Sequence, residues 1–183
     1  MCRMKALGIA IFVFFIACSL KAEVVDSSAN GFTITNKITV KGTSQHAFDS
    51  IVKIGDWWSS AHTYSGNAKN MKIDLKAGGC FCELDGKQQV QHGTVVNINP
   101  GKLLRLSAAL GPFQEQGVVG AFTFEIADAP EGATVAMTFR AGGYVPQGMD
   151  KIAPVVDQVL AEQIGRLKLY IETGKAEHSP QSH

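Results

Sequence analysis

The stretch "MDKIAPVVDQVLAEQIGRLKLYIETG", Met149 to Gly174, decides the fold class. Its apolar residues recur at spacings of three and four, the pattern of one helical face. Pro154 lies near the first turn, where a missing N–H costs least, and Gly174 is a typical C-terminal stop. The stretch predicts a long amphipathic helix with an apolar stripe made of Ile152, Val155, Val156, Val159, Leu160, Ile164, Leu167 and Ile171.

The segments before this helix begin with a strand. In "FTITNKITV" the apolar residues between Phe32 and Val40 alternate with polar ones, which predicts a half-buried antiparallel strand. Ser44 is the predicted N-cap of a following helix, "QHAFDSIVKI". A short helix is predicted around Trp57 and Trp58, inside an aromatic and polar segment that is otherwise irregular.

Further strand-like segments fill the middle of the chain. Short turns such as "DGK" and "NPGK" join them, and a Gly-Gly break in the first predicts a bulge or bend. A long helix must bury its stripe on such a sheet, so we predict an α+β domain with a curved antiparallel sheet of about six strands around the C-terminal helix. The five segments are "MKIDLKAGGCFCEL", "QQVQHGTVVNI", "LLRLSAAL", "AFTFEI" and "TVAMTFRAGG".

The first 22 residues are typical of a secretory signal. Arg3 and Lys5 precede the apolar run "ALGIAIFVFFIA", and "CSLKA" predicts cleavage after Ala22. Lipid attachment at Cys18 is one alternative, and a buried helix or a membrane anchor is another. The predicted organisation is a signal peptide (1–22), a polar leader (23–30), one domain (31–174) and a disordered tail (175–183).

Composition excludes several classes of function. The predicted signal carries Arg3, Lys5 and Lys21 and no acid, so its removal changes the net charge from +1 to −2. A nucleic-acid binder would need a concentrated basic surface, so no nucleic-acid partner is predicted. The sequence has no phosphate loop, dinucleotide fingerprint, H-E-x-x-H motif or nucleophile elbow, and no cofactor is predicted. No membrane span is predicted for the mature chain.

Several motifs together resemble a known superfamily. They are "WWSSAHTYSG", "KAGGCFCEL", "HGTVVNINPGKLLRLS", "LGPFQEQG", "AGGY" and the long final helix. With the element order, they resemble the helix-grip fold of the SRPBCC or START-like superfamily over Gly31 to Gly174. The most similar branch is the one named for activators of a chaperone ATPase, and this chain resembles a secreted bacterial-type member.

The resemblance implies a cavity under the long helix. Members of the superfamily usually hold a hydrophobic or amphipathic small molecule there, and some are enzymes such as aromatic polyketide cyclases. It therefore implies that this chain binds a small hydrophobic ligand. The alternative is a cyclase, dehydratase or hydrolase whose acid–base groups are His92, His62 or Tyr64. No catalytic residue set is shared across the superfamily, so function has to be argued from the site.

The motif "GGCFCE", Gly78 to Glu83, holds the two cysteines of the mature chain. In a strand Cys80 and Cys82 point to the same side, and we predict that this side faces the cavity. An odd-length loop such as "DGK" would place Cys80 near His92, whereas a two-residue turn would place His92 on the opposite face. Four interpretations stay open: small apolar wall residues, a redox pair, metal ligands with His92 and His62, or a nucleophilic thiol. The last two demand thiolates, and the redox interpretation demands a chain bend.

The candidate ligand-binding residues cluster in loops and strand ends. His62 and Tyr64 lie in an irregular segment expected at the cavity mouth. Of the adjacent tryptophans, one is expected in the core and the other at the pocket. Tyr144 follows a glycine pair at a strand end and could reach the opening. The predicted ligand-binding set is Trp57, Trp58, His62, Tyr64, Cys80, Cys82, His92 and Tyr144.

Overall fold

The computed structural model describes residues 21–177. Apart from Lys21 and Ala22, the predicted signal segment lies outside the described residues, and so does the end of the predicted tail, 178–183. Within the described part, no helix has the length and apolar character needed to cross a membrane.

One antiparallel sheet of eight strands dominates the structure. The strands lie side by side in the order β1-β2-β8-β7-β6-β5-β4-β3, so only the connection between β2 and β3 crosses from one side of the sheet to the other. The strands are β1 (Lys21–Ser28), β2 (Gly31–Val40), β3 (Met71–Ile73), β4 (Cys80–Leu84), β5 (Gln89–Asn99), β6 (Leu103–Ala108), β7 (Val119–Ala129) and β8 (Gly132–Gly142).

Three α-helices cover one face of this sheet. They are α1 (Ser44–Ile51), α2 (Ile54–Trp57) and α3 (Met149–Thr173), and single 3₁₀ turns lie at Ser60–His62, Ala68–Asn70 and Gly111–Phe113. The long helix α3 packs against β1 and β2 and contacts α1 and α2. A curved sheet that wraps a C-terminal helix in this way is a helix-grip fold, as predicted.

The strand count differs from the prediction of about six. The first extra strand is β1, which pairs with β2 and occupies residues predicted as a polar leader. The second arises because "MKIDLKAGGCFCEL" forms two strands, β3 and β4, joined by a tight loop. Gly79 permits that loop, because a Cβ atom there would collide with the carbonyl oxygen of Asp74.

The periodic elements are confirmed. Every apolar residue predicted on the inner face of β2 is buried, from Phe32 at 4% exposure to Val40 at 1%. Helix α3 spans the predicted stretch and ends at Gly174, which adopts the left-handed conformation. The predicted N-cap of α1 was one residue late, because Thr43, not Ser44, accepts the backbone N–H of His46.

The apolar stripe of α3 divides into two parts. Its C-terminal part, Leu160 to Ile171, is buried on the core, whereas Val155 is 63% exposed. The predicted stripe was therefore wrong in placing Val155 in the core. The N-terminal half of the helix instead borders an open space above β3, β4 and β5, and that space is the candidate site.

Candidate functional site

A cavity of about 460 Å³ lies between the N-terminal half of α3 and the β3–β5 side of the sheet. Two connections close it laterally, the segment after α2 and the loop between β6 and β7. Its lining residues are Trp58, Ala61, His62, Thr63, Tyr64, Met71, Phe81, His92, Leu110, Gly111, Pro112, Phe113, Glu115, Val155, Val156, Val159 and Leu160.

The walls are mainly apolar, and their aromatic rings are fixed by hydrogen bonds and by packing on the core. Trp58 is 5% exposed, and its indole N–H donates to the His62 carbonyl at 3.0 Å, so the ring presents a satisfied apolar surface. Phe113 lies 6.0 Å from Phe32, ring centre to ring centre, and so joins the aromatic core. Because these rings are held from behind, the cavity is a formed feature of the fold and not a gap between mobile side chains.

A buried carboxylate–imidazole pair lies at the inner end of the cavity. Glu83 on β4 and His92 on β5 approach to 3.2 Å between Oε2 and Nε2, and their side chains are only 2% and 5% exposed. The His92 ring packs on Phe81 at 5.1 Å and faces Tyr64 at 5.9 Å. His92 thereby contributes a polar edge to a wall that is otherwise aromatic.

Glu83 is held by more than the histidine. Its carboxylate also accepts the backbone N–H of Tyr64 at 3.0 Å and the backbone N–H of Ser65. Burial alone would raise the pKa of Glu83, but the hydrogen bonds from Ser65, Tyr64 and His92 outweigh it and hold this pKa below its ordinary value. The carboxylate is therefore ionised at neutral pH and fastens the Tyr64–Ser65 segment to the sheet.

His92 is neutral at the same pH. Burial lowers the pKa of His92, and the attraction of Glu83 only partly opposes this effect. An ionised carboxylate is an acceptor only, so Nε2 carries the proton and donates it to Glu83, which leaves Nδ1 as an acceptor. Within residues 21–177 the only fully buried side-chain polar atoms without partners are Gln116 Oε1 and Gln163 Nε2. Among the described residues the His92 side chain hydrogen-bonds through Nε2, and Nδ1 is not one of these fully buried atoms. Because His92 lines the cavity, we infer that Nδ1 is open to it.

A β-bulge aims the histidine inward. Cys82 pairs with Gln91, but Phe81 pairs with Gly93, so β5 carries one extra residue, His92, at this point. The backbone crowding is tight, since a Cβ atom on Gly93 would lie 2.6 Å from the Ser107 carbonyl oxygen. The bulge reverses the facing of β5 beyond it, and this places His92 and Val95 on the buried side together.

Two exposed contacts hold the mouth. The Tyr64 hydroxyl donates to the Gly111 carbonyl at 2.8 Å, which connects the segment after α2 to the β6–β7 loop. His62 Nε2 lies 3.2 Å from Glu162 Oε2 on α3. These are the mouth contacts, and they join the three elements that surround the opening.

The structure brings together half of the predicted ligand-binding residues. Four of them line the cavity, with the His92 imidazole at its inner end: Trp58, His62, Tyr64 and His92. The rest of the set lies elsewhere. Trp57 is a fully buried core residue, and its N–H donates to the Ile51 carbonyl at 3.2 Å. Tyr144 was wrongly placed at the opening: it is 77% exposed and does not line the cavity.

The cysteines were also assigned to the wrong face. Phe81 and Glu83 point inward, so Cys80 and Cys82 lie half-buried on the opposite face of the sheet. They are joined as a disulfide with a Cα–Cα distance of 5.4 Å, shorter than the about 6.5 Å of a regular strand. This overturns the interpretation as free wall residues and separates both sulfurs from His92, so these residues cannot form one metal-ligand set.

Sequence reasoning missed Phe81 and Glu83. Because the cysteines were expected on the inner face, the alternation of a strand implied the outer face for Phe81 and Glu83. The available signal was an aromatic residue and an acid alternating on a strand that follows a glycine bend. That signal cannot identify the inner face without the register of β4 against β5.

No protein-family model and no curated protein matches the sequence. Solved structures match in fold. A conserved protein of unknown function, EF2215 from Enterococcus faecalis, superposes with a TM-score of 0.57 at 12% identity, over 89% of this chain and 82% of that one.

Two further structures carry more informative names. An AHSA1-like protein from Aeromonas hydrophila matches with a TM-score of 0.50 at 18% identity, over 82% of this chain and 99% of that one. CalU16 from Micromonospora echinospora matches with a TM-score of 0.51 at 13% identity, over 89% and 86% of the two chains. At such identities the likeness shows the helix-grip fold and nothing finer.

Proposed function

We propose that the chain is a member of the SRPBCC superfamily that binds a small hydrophobic or amphipathic ligand between the sheet and α3. The observation that carries this proposal is the formed cavity of about 460 Å³. Small-molecule sites usually occupy about 300–1,000 Å³ and combine apolar walls with a few convergent polar groups. Trp58, Phe113 and Val159 supply the apolar surface, and His92 supplies a polar group.

A neutral naphthylamine dye, N-phenyl-1-naphthylamine, tests this proposal by fluorescence titration. Val159→Trp fills the cavity and should abolish binding, because Val159 lines it. Val119→Trp is the matched control, since Val119 is 56% exposed on β7 and lies outside the cavity. Equal dye binding by the two folded variants would contradict the proposal.

The proposal includes export. The support is the N-terminal segment 1–22 and the Cys80–Cys82 disulfide, because disulfides persist mainly in oxidising compartments. Expression of the full chain in a bacterium, followed by fractionation and mass spectrometry, tests it. A periplasmic chain that begins at Glu23 supports cleavage after Ala22, whereas lipid mass on Cys18 would support anchoring and an intact cytosolic chain would refute export.

A second candidate function is proton-transfer catalysis. Its support is the Glu83–His92 pair, because a neutral imidazole fixed by a carboxylate is a suitable general base when it faces a substrate. Kemp elimination of 5-nitrobenzisoxazole is a direct probe: the base removes the ring C–H proton, the N–O bond breaks and a cyanophenolate forms. Catalysis lost in His92→Gln and kept in His62→Gln supports this candidate, and equal rates in all three proteins refute it.

A further inference from the structure

The polar groups of the cavity restrict the chemistry of its ligand. Four titratable side chains border the space: Tyr64, His62 and Glu115 near the mouth, and His92 at the inner end. Among the described residues no lysine or arginine lines it. A carboxylate-bearing ligand, such as a fatty acid, would therefore find no fixed cation to pair with, although buried charges need such partners.

The inner end is already negative. Glu83 lies directly behind His92, with Oε2 3.2 Å from Nε2, and its hydrogen bonds to Tyr64 and Ser65 keep it ionised. Glu115 adds a second carboxylate at the wall. An anion placed in the cavity would lie near both acids and would be repelled by them.

The inner end of the cavity offers a hydrogen-bond acceptor, His92 Nδ1. Nε2 of His92 is bound to Glu83, so the lone pair of Nδ1 is free to accept. His92 lines the cavity, and among the described residues its side chain hydrogen-bonds through Nε2. A group that donates a hydrogen bond satisfies this atom, and a group that only accepts leaves it bare. The flanking rings of Phe81 and Tyr64, at 5.1 and 5.9 Å from the imidazole, are suited to a flat apolar body attached to that donor.

We infer that the cavity selects uncharged ligands that carry a hydroxyl group, a phenol or an alcohol, on an apolar ring system, with the hydroxyl donating to His92 Nδ1. This inference rests on the proposed ligand-binding function and names its substrate class. The hydroxyl lies at the inner end, and the apolar body extends along Trp58 and Phe113 toward α3. Carboxylates of the same shape are excluded.

Three naphthalenes with one ring system and different substituents test the inference by calorimetric or fluorescence titration. We expect 2-naphthol to bind about two- to twelvefold more tightly than 2-methoxynaphthalene, since one neutral hydrogen bond contributes about 0.5–1.5 kcal/mol. We expect 2-naphthoate to bind at least about tenfold more weakly than 2-methoxynaphthalene, because its carboxylate is buried without a cation. The methyl ether cannot donate a hydrogen bond, so its affinity measures the contribution of the apolar cavity walls.

Two variants assign the selectivity to residues. His92→Phe keeps an aromatic ring and removes the acceptor, so the preference for naphthol over its methyl ether should disappear. Glu115→Gln removes a carboxylate from the wall and should raise the affinity for naphthoate relative to that for naphthol by about two- to fivefold.

The outcomes separate the inference from the proposed function. Equal affinities for naphthol and its ether, or tighter binding of naphthoate than of either, overturn the inference while the binding function stands. Binding of none of the three compounds counts against the binding function and removes the inference with it. If His92→Phe fails to fold, the order of the three affinities in the wild type and the affinities of Glu115→Gln still test the inference.

Discussion

Replacing Glu83 by glutamine isolates the charge of the buried carboxylate. The two side chains have the same shape, but an amide offers one acceptor oxygen where the carboxylate offers two. In the wild type those oxygens accept Tyr64 N–H, Ser65 N–H and His92 Nε2–H. Whichever way the amide turns, its NH₂ group faces at least one backbone donor, which is left buried and unpaired.

The expected cost follows from these contacts. An unsatisfied buried donor costs about 1–3 kcal/mol, and hydrogen bonds to a charged group contribute about 1.5–3 kcal/mol each. The neutral amide avoids the cost of burying a charge, and this gain offsets part of the lost hydrogen-bond energy. We expect Glu83→Gln to lower the free energy of unfolding by about 2–4 kcal/mol, which for a domain of this size lowers Tm by roughly 5–15 °C.

A second histidine–carboxylate pair provides the control. His62 and Glu162 approach to the same 3.2 Å, but their side chains are 33% and 45% exposed, against 5% and 2% for His92 and Glu83. Solvent screens an exposed pair, so Glu162→Gln should change the free energy of unfolding by less than about 1 kcal/mol. The two substitutions therefore differ in burial and not in chemistry.

Urea unfolding followed by tryptophan fluorescence measures both variants, because Trp57 and Trp58 are buried in the native state. Amide hydrogen exchange adds a local readout, since Tyr64 and Ser65 should lose protection selectively in Glu83→Gln. The pKa of Glu83 is lowered on folding, so its contribution is present above its ordinary value of 4.5 and is lost as pH falls through the folded pKa. Equal stabilities for Glu83→Gln and Glu162→Gln at neutral pH would refute the reasoning.

Three other perturbations test the surroundings of this pair. Burial lowers the pKa of His92 below its ordinary 6.5, so the unfolded chain protonates first and stability falls as pH drops below about 6.5. Unfolding measured as a function of pH should show a shallower fall of stability in His92→Gln than in the wild type. A fall as steep as that of the wild type would contradict the direction of the pKa shift. Replacing both cysteines of the disulfide by serine should lower the free energy of unfolding by only about 1–2 kcal/mol, because the closed loop is very short. A loss above about 4 kcal/mol in urea titrations would show that the bond does more than restrict the unfolded chain. Gly93→Ala should cost about 1–3 kcal/mol, because its Cβ would lie 2.9 Å from the Ala108 Cβ, whereas Gly165→Ala on α3 meets open space and should be neutral or stabilising. Thermal unfolding compares the two glycines, and equal shifts would argue against crowding at the bulge.

The elements with a regular period were predictable from the sequence. The alternation of "FTITNKITV" and the three-and-four spacing of the last helix are local properties. The alternation correctly marks the core face of β2, and the spacing correctly marks that of α3 from Leu160 onward. The fold class follows from them, since one long amphipathic helix and a succession of strands have few ways to bury both apolar faces.

The candidate site was only partly predictable, because one inserted residue decides which side chains face it. The β-bulge at His92 changes the register against β4, and the alternation within "CFCEL" has no local asymmetry that marks its inner face. Exchanging the two faces moves Cys80 and Cys82 out of the cavity and Glu83 into it. His62 and Tyr64 line the cavity, where they were expected, because they lie in an irregular segment whose position does not depend on that register. Their role in ligand binding stays a prediction.

The contacts around the cavity differ in strength, and under the proposed binding function this difference predicts how a ligand would enter. At the inner end, Glu83 holds the Tyr64–Ser65 backbone through buried, charge-assisted hydrogen bonds, which are expensive to break. At the mouth, the Tyr64 hydroxyl and His62 make exposed contacts with Gly111 and Glu162, and water can replace these at little cost. Opening therefore requires the side chains of this segment to swing while its backbone stays fastened. If the proposed binding function holds, His92 Nδ1 is presented to each ligand in the same orientation, because the buried Glu83 that orients the imidazole keeps its backbone contacts.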